Sequence, residues 1–176
     1  MSGPTGRTVD IHAHVITPAC LELVKGLMEP QYEPFTYWAG KETNEYQAGH
    51  MTEILPKATD PAVRIADMDA MGIDVQAISV APPQYYYWAD VELGRKLARM
   101  QNENLASMVE DNPDRFVALA TVPLQDVSSA VAELEYCVRE LGFRGAEINT
   151  NVFGLDLDDR RFRPFFAKAE ELDVPV

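Results

Sequence analysis

The sequence predicts an α/β protein of the parallel (β/α)8 TIM-barrel type, with about the first half of the barrel present. Three observations lead there. Short apolar, β-branched runs alternate with helical stretches along the chain, the pattern of crossovers in a parallel sheet. No glycine-rich phosphate loop follows any of these runs, which argues against a doubly wound nucleotide-binding fold. Polar residues gather at the C-terminal ends of the predicted strands, where barrel sites are built. The 176 residues are therefore read as one domain, 1–176, carrying four strand-helix units and an opening fifth strand.

Thr8 to Val15 forms the first strand, closed by Thr17-Pro18. Between Leu27 and Lys57 the periodicity breaks down. Pro30, Pro34 and Pro56 punctuate an aromatic-rich stretch holding Tyr32, Phe35, Tyr37, Trp38 and Tyr46, so no long helix is expected there. A structureless loop of this length is uncommon, and residues 27–57 are expected to be an insertion with its own short hairpin, or a lid. Asp60-Pro61 reads as an N-cap followed by proline at the first helical position. Ile65, Met68 and Met71 would then point inward, with Gly72 as the stop. Val75 to Val80 is a strand buried on both faces, ending before Pro82-Pro83. After a loop with Tyr85, Tyr86, Tyr87 and Trp88, the residues Leu93, Leu97, Met100, Asn104, Leu105, Met108 and Val109 recur at helical spacing up to Asn112-Pro113. Phe116 to Val122 is the third strand. Val127, Val131, Leu134, Val138 and Leu141 mark a helix closed by Gly142, and Gly145 to Ile148 is the fourth strand. Past a turn at Gly154, Phe162, Phe165, Phe166, Ala169 and Leu172 define the last helical face, and Asp173 to Val176 opens another strand.

Composition narrows the function classes. A hydrophobic content of 47% suffices for one sizeable core. The net charge of -13 argues against a nucleic-acid binder, whose affinity rests on clustered Lys and Arg. Cys20 and Cys137 are far apart and outside any CxxC motif, so neither a disulfide framework nor a thiolate zinc site is indicated. The start has no apolar signal segment, and no stretch approaches the roughly 20 apolar residues of a membrane span. A cytoplasmic protein without nucleic-acid or membrane partners is expected.

The chemistry is concentrated in the first strand. Alternation predicts that Asp10, His12 and His14 point one way, with Val9, Ile11, Ala13 and Val15 pointing the other. Two imidazoles at i and i+2 on one side, at the C-terminal end of a barrel strand, can converge on one divalent ion, and zinc is the ion expected. Asp10 would orient a ligand from behind, or hydrogen-bond a nearby loop. Tyr85, Trp88 and Trp38 are candidates to line an apolar substrate pocket, with loop packing as the alternative. Asn149 could hydrogen-bond a substrate or cap its own loop. Arg64 is expected to pair with a neighbouring acid.

The run Val9-Asp10-Ile11-His12-Ala13-His14-Val15-Ile16-Thr17-Pro18 resembles the opening of the amidohydrolase superfamily, in the amidohydrolase-related branch of the aminocarboxymuconate-semialdehyde decarboxylases. Later segments are similar to that branch in the same order. They are Asp60 to Ile65 with Asp67-Met68-Asp69, Gly72 to Gln76, Asn112 to Phe116, Val122 to Asp126, and Leu157-Asp158-Asp159. The resemblance implies a full (β/α)8 barrel with one catalytic divalent metal, held by the HxH pair, a later His and a late Asp. The next His of that set would follow just beyond Val176, and the catalytic residues are expected further on. His50 lies in the insertion and takes no role from the resemblance. Members of the branch carry an Arg that holds a substrate carboxylate where this sequence has Met51-Thr52, a departure that bears on substrate choice.

The implied activity is decarboxylation of a carboxylated aromatic or muconate-like small-molecule acid. A metal-dependent hydrolase of an ester, lactone or amide would use the same HxH pair. A third reading is a non-catalytic fragment or interaction module, since half a barrel leaves sheet edges open and leaves room for a homo-oligomer.

Overall fold

A computed structural model describes residues 6–27, 29, 32, 37 and 39–176. The elements run β1 (Val9–Val15), α1 (Pro18–Val24), α2 (Lys41–Thr59), α3 (Pro61–Met71), β2 (Val75–Val80), α4 (Val91–Asp111), β3 (Phe116–Ala118), α5 (Val127–Arg139), the hairpin β4 (Asn151–Val152) and β5 (Leu155–Asp156), and α6 (Arg163–Glu171). The main sheet has the order β1-β2-β3, all parallel. Single hydrogen bonds extend it in the same direction. Ala120 N donates to Gly145 O (2.8 Å), Glu147 N to Ala120 O (3.0 Å), and Ala146 N to Pro175 O (3.0 Å). Successive parallel neighbours joined by helices are the opening of a β/α barrel.

The third strand is shorter than the expected 116–122. The expected fourth strand is a single isolated bridge, Ala120 to Ala146, and the expected fifth, at 173–176, touches it through one backbone hydrogen bond without forming a strand. Pro175 has no N–H to continue a ladder, which limits the pairing of 145–147 with 174–176. Gly145 lies here because a Cβ at this position would sit 2.7 Å from the Pro175 carbonyl.

The end signals worked as their chemistry requires. The Asp60 carboxylate accepts from Ala62 N (2.8 Å), Pro61 opens α3, and Gly72 closes it at φ +71°. Asp90 and Asp126 cap α4 and α5 in the same manner. Met71, expected to point inward, is instead 62% exposed: the buried stripe of α3 runs through Arg64 and Met68, leaving the last turn in solvent.

The expectation of no long helix within 27–57 is corrected by the 19-residue α2. Its first 15 residues contain no proline, and Pro56 costs it a single backbone bond, to the Thr52 carbonyl, three residues before its end. Periodicity gave no signal because α2 is mostly solvated, with Ala58 its one buried residue. Lys57 on α2 pairs with Asp67 on α3 (2.6 Å).

The core lies between β2 and the surrounding helices, with Ile78, Met68, Leu105, Phe116, Leu134 and Phe165 all essentially inaccessible. Beside it, Asn102 bridges Thr121 O and Glu133 Oε1 (both 2.9 Å), and Arg99 grips Glu133 through Nε and Nη2. This polar knot ties α4, α5 and the end of the third strand together. No helix among the described residues is long and apolar enough to cross a membrane.

Candidate metal centre

His12 and His14 lie at the C-terminal end of β1, with ring centroids 4.5 Å apart and planes at 77°. They face the concave side of the sheet together, as residues two apart on one strand do, while an irregularity in β1 separates them from Asp10. Asp10 pairs with Gln76 but Ala13 pairs with Ile78, so β1 takes three steps where β2 takes two. His14 is then opposite Ser79, whose Oγ is 3.4 Å from the ring Nδ1.

The bulge corrects the expectation that Asp10 points with the histidines. In a regular strand Gln76 and Ser79, three positions apart, face opposite sides. Asp10 takes the Gln76 side and accepts from its amide nitrogen at 2.9 Å. Gln76 in turn accepts from Arg64 Nη1 (3.2 Å), and Arg64 Nη2 donates to the carbonyl of His14. The acid expected beside Arg64 is thus reached through Gln76. This chain of bonds fixes the backbone that carries His14 from the far side of the sheet.

The sequence reading missed Glu147. It stands just past Ala146 at the end of the fourth strand run, and its carboxylate reaches back across the sheet to within 3.9 Å of His14 Nδ1. Strands one and four are not neighbours, so only curvature of the sheet brings these side chains together. A donor atom from each of His12, His14 and Glu147 lies within 4.8 Å of the others. The signal was present in Gly145-Ala146-Glu147-Ile148: one acid in a short apolar strand, at the end where barrel sites form.

Burial holds the His14 pKa below the ordinary value, with Glu147 opposing that shift and His12 adding to it. The ring is therefore neutral near pH 7, as a metal ligand must be. Tyr85 donates to Glu147 Oε1 at 3.2 Å. Burial first, and then the Glu147 charge, push the phenol well above its usual range, so Tyr85 remains a donor at any working pH. Tyr87 stacks on Tyr85 with centroids 5.6 Å apart.

Of the other residues singled out in the sequence, Trp38 lies outside the described residues. Tyr85 is buried against the site rather than open to it. Trp88 is half-buried and stacked on Tyr32, centroids 5.5 Å apart. Asn149 is exposed and accepts from Thr150 N (2.9 Å), shaping its own turn. His50 is exposed on α2, stacked on Tyr46. His12 and Glu147 open onto a cavity of about 450 Å³ that is also lined by Ile148, Thr150, Phe166 and Val176.

The chain is 37% identical over 124 residues to 2-amino-3-carboxymuconate-6-semialdehyde decarboxylase of Dictyostelium discoideum, covering 70% of this chain and 34% of that protein. It is 37% identical over 153 residues to gamma-resorcylate decarboxylase of Rhodococcus jostii, covering 82% and 43%. The fold superimposes on 5-carboxyvanillate decarboxylase of Novosphingobium aromaticivorans with a TM-score of 0.80 at 28% identity, covering 99% of this chain and 50% of that one. That crystal structure is a complex with manganese and 4-hydroxy-3-methoxy-5-nitrobenzoic acid. The chain thus spans between about a third and a half of the length of these relatives. The family described as Amidohydrolase matches residues 9–176, and to that family this chain belongs.

Proposed function

We propose that this chain forms the metal-holding part of a divalent-metal-dependent decarboxylase acting on a carboxylated aromatic or muconate-like acid. The observation that carries the reading is the convergence of His12, His14 and Glu147 within 4.8 Å at the strand ends. Two imidazoles and a carboxylate suit a divalent first-row ion. His12 and His14 are the ligands assigned here. Zinc is the ion expected from this donor chemistry, and manganese, present in the Novosphingobium structure, is the alternative the same donors accept.

When bound, the ion supplies positive charge that holds the substrate's oxygens and offsets the charge developing on its ring. The rest falls to protein side chains. His12 and His14 fix the ion's place, and Ser79 at Nδ1 of His14 steadies that ring. Asp10 acts from behind through Gln76 and Arg64, holding the backbone at His14. On the substrate side we retain Trp88 and Asn149, from the loops after β2 and after residues 145–147, together with Trp38, while Tyr85 acts from beneath by holding Glu147. In the reaction the bond between ring carbon and carboxylate breaks, its electron pair stays on the carbon, and that carbon takes up a proton as carbon dioxide leaves. We assign the donor of that proton to no residue of this chain.

A cytoplasmic setting goes with this reading, supported by two free, buried cysteines, Cys20 and Cys137. Self-association is also part of the proposal, tested by the mass of the protein in solution. The test is product analysis. The protein loaded with zinc or manganese is incubated with hydroxybenzoic and muconic acids, and carbon dioxide is measured against the decarboxylated product. Equal amounts of both, lost on chelation, support the reading. Cleavage of an ester, lactone or amide without carbon dioxide release would replace it with a hydrolase.

A further inference from the structure

We infer that Glu147 is a direct ligand of the divalent cation, so that this chain by itself presents three donors from two non-adjacent strands. The inference rests on the metal site proposed above and goes beyond the HxH pair. It stands on three observations.

The first is distance. A carboxylate oxygen of Glu147 and one nitrogen from each of His12 and His14 are mutually within 4.8 Å, a spacing that small side-chain rotations close around one ion. The second is charge. The Glu147 side chain is only 19% exposed, yet among the described residues no Lys or Arg lies within ion-pair distance of it. Its partner in that range is the His14 ring. A divalent ion between this carboxylate and the two imidazoles would supply the positive charge that no basic side chain provides there.

The third is orientation. Tyr85 donates to one oxygen of Glu147, Oε1, at 3.2 Å. An outer hydrogen bond to a ligating carboxylate is the usual means of holding it in place, and here it holds the oxygen that faces His14 Nδ1 at 3.9 Å. His12 and Glu147 line the same cavity, so a substrate held by the ion would lie there.

The experiment titrates cobalt(II) into the metal-free 176-residue chain, following heat and the visible ligand-field absorption, with far-UV circular dichroism on every variant. The expected result is one ion per chain. Glu147→Gln should weaken binding roughly 10- to 100-fold, the range that supporting groups around a metal already command. It should also shift the absorption band, because an amide replaces an anionic donor. Glu147→Asp keeps the charge at shorter reach, retains the fold if Gln does not, and should fall between. Weaker binding with an unmoved band would make Glu147 a positioning residue and overturn the inference, as would unchanged binding or no binding by the unsubstituted chain. His14→Ala separates the two claims. If it abolishes binding while Glu147→Gln does not, the HxH site stands and the Glu147 ligand falls. If it leaves binding intact, the metal site of the proposed function falls with it.

Discussion

Replacing Arg64 with Met tests whether the far side of the sheet holds the site in place. Arg64 is 8% exposed, so the substitution acts in the interior, and Met retains most of the apolar stem. Two charge-assisted hydrogen bonds are lost, one to Gln76 Oε1 and one to the His14 carbonyl. Each such bond is worth about 1.5–3 kcal/mol, and both acceptors would remain buried without a donor. Against this, the guanidinium no longer has to be kept out of water, a burden visible in its pKa, which burial lowers and Asp10 only in part restores. The balance is a destabilisation of roughly 3 kcal/mol, or about 6–12 °C in Tm for a chain of this length. Urea unfolding of the metal-free protein measures it, and metal affinity should fall in parallel as the His14 backbone loosens. Arg64→Lys keeps the charge but not the two-pronged grip, and should recover only part of the loss. A change within about 0.5 kcal/mol for Arg64→Met would refute the view that this relay fixes the strand.

Further outcomes are expected at three positions. Gly145→Ala drives a methyl group toward the Pro175 carbonyl and the Leu119 side chain, and should cost roughly 1–3 kcal/mol, with faster hydrogen exchange at the Ala146 amide. Asp126→Ala removes the cap of α5, bonded to Ser129 N (2.9 Å) and Ser128 Oγ (2.8 Å), for about 1 kcal/mol in urea unfolding. Those same bonds, to Ser129 first and then Ser128, hold the Asp126 carboxyl below the ordinary value of 3.8. Its contribution is therefore present above that value and disappears as pH falls through the lower folded value, so Asp126→Asn should flatten the acid limb of the stability profile. Met68→Ala empties a fully buried position under β2 and should cost about 2–5 kcal/mol by the same unfolding assay.

Much of the fold was legible because local chemistry sets it. Asp60-Pro61 and Gly72 delimit α3 through a side-chain cap and a left-handed residue, and both act within a few residues of the chain. Val75 to Val80 read as a doubly buried strand because it is apolar at nearly every position. The HxH pair was visible for the same reason, as two ligands on one strand. Helix α2 escaped notice because it buries almost nothing, and burial is what periodicity reports.

The side-chain directions around the site were decided elsewhere. A one-residue slip in the pairing of β1 with β2 sends Asp10 to the helix-covered side and leaves both histidines on the other, and register belongs to the strand pair rather than to either sequence alone. Glu147 reaches His14 only because the sheet curls strand four toward strand one. The sequence by itself determined the segments, their ends and the chemical character of each; which side chains share one site was decided by register and curvature, because those depend on contacts between residues far apart in the chain.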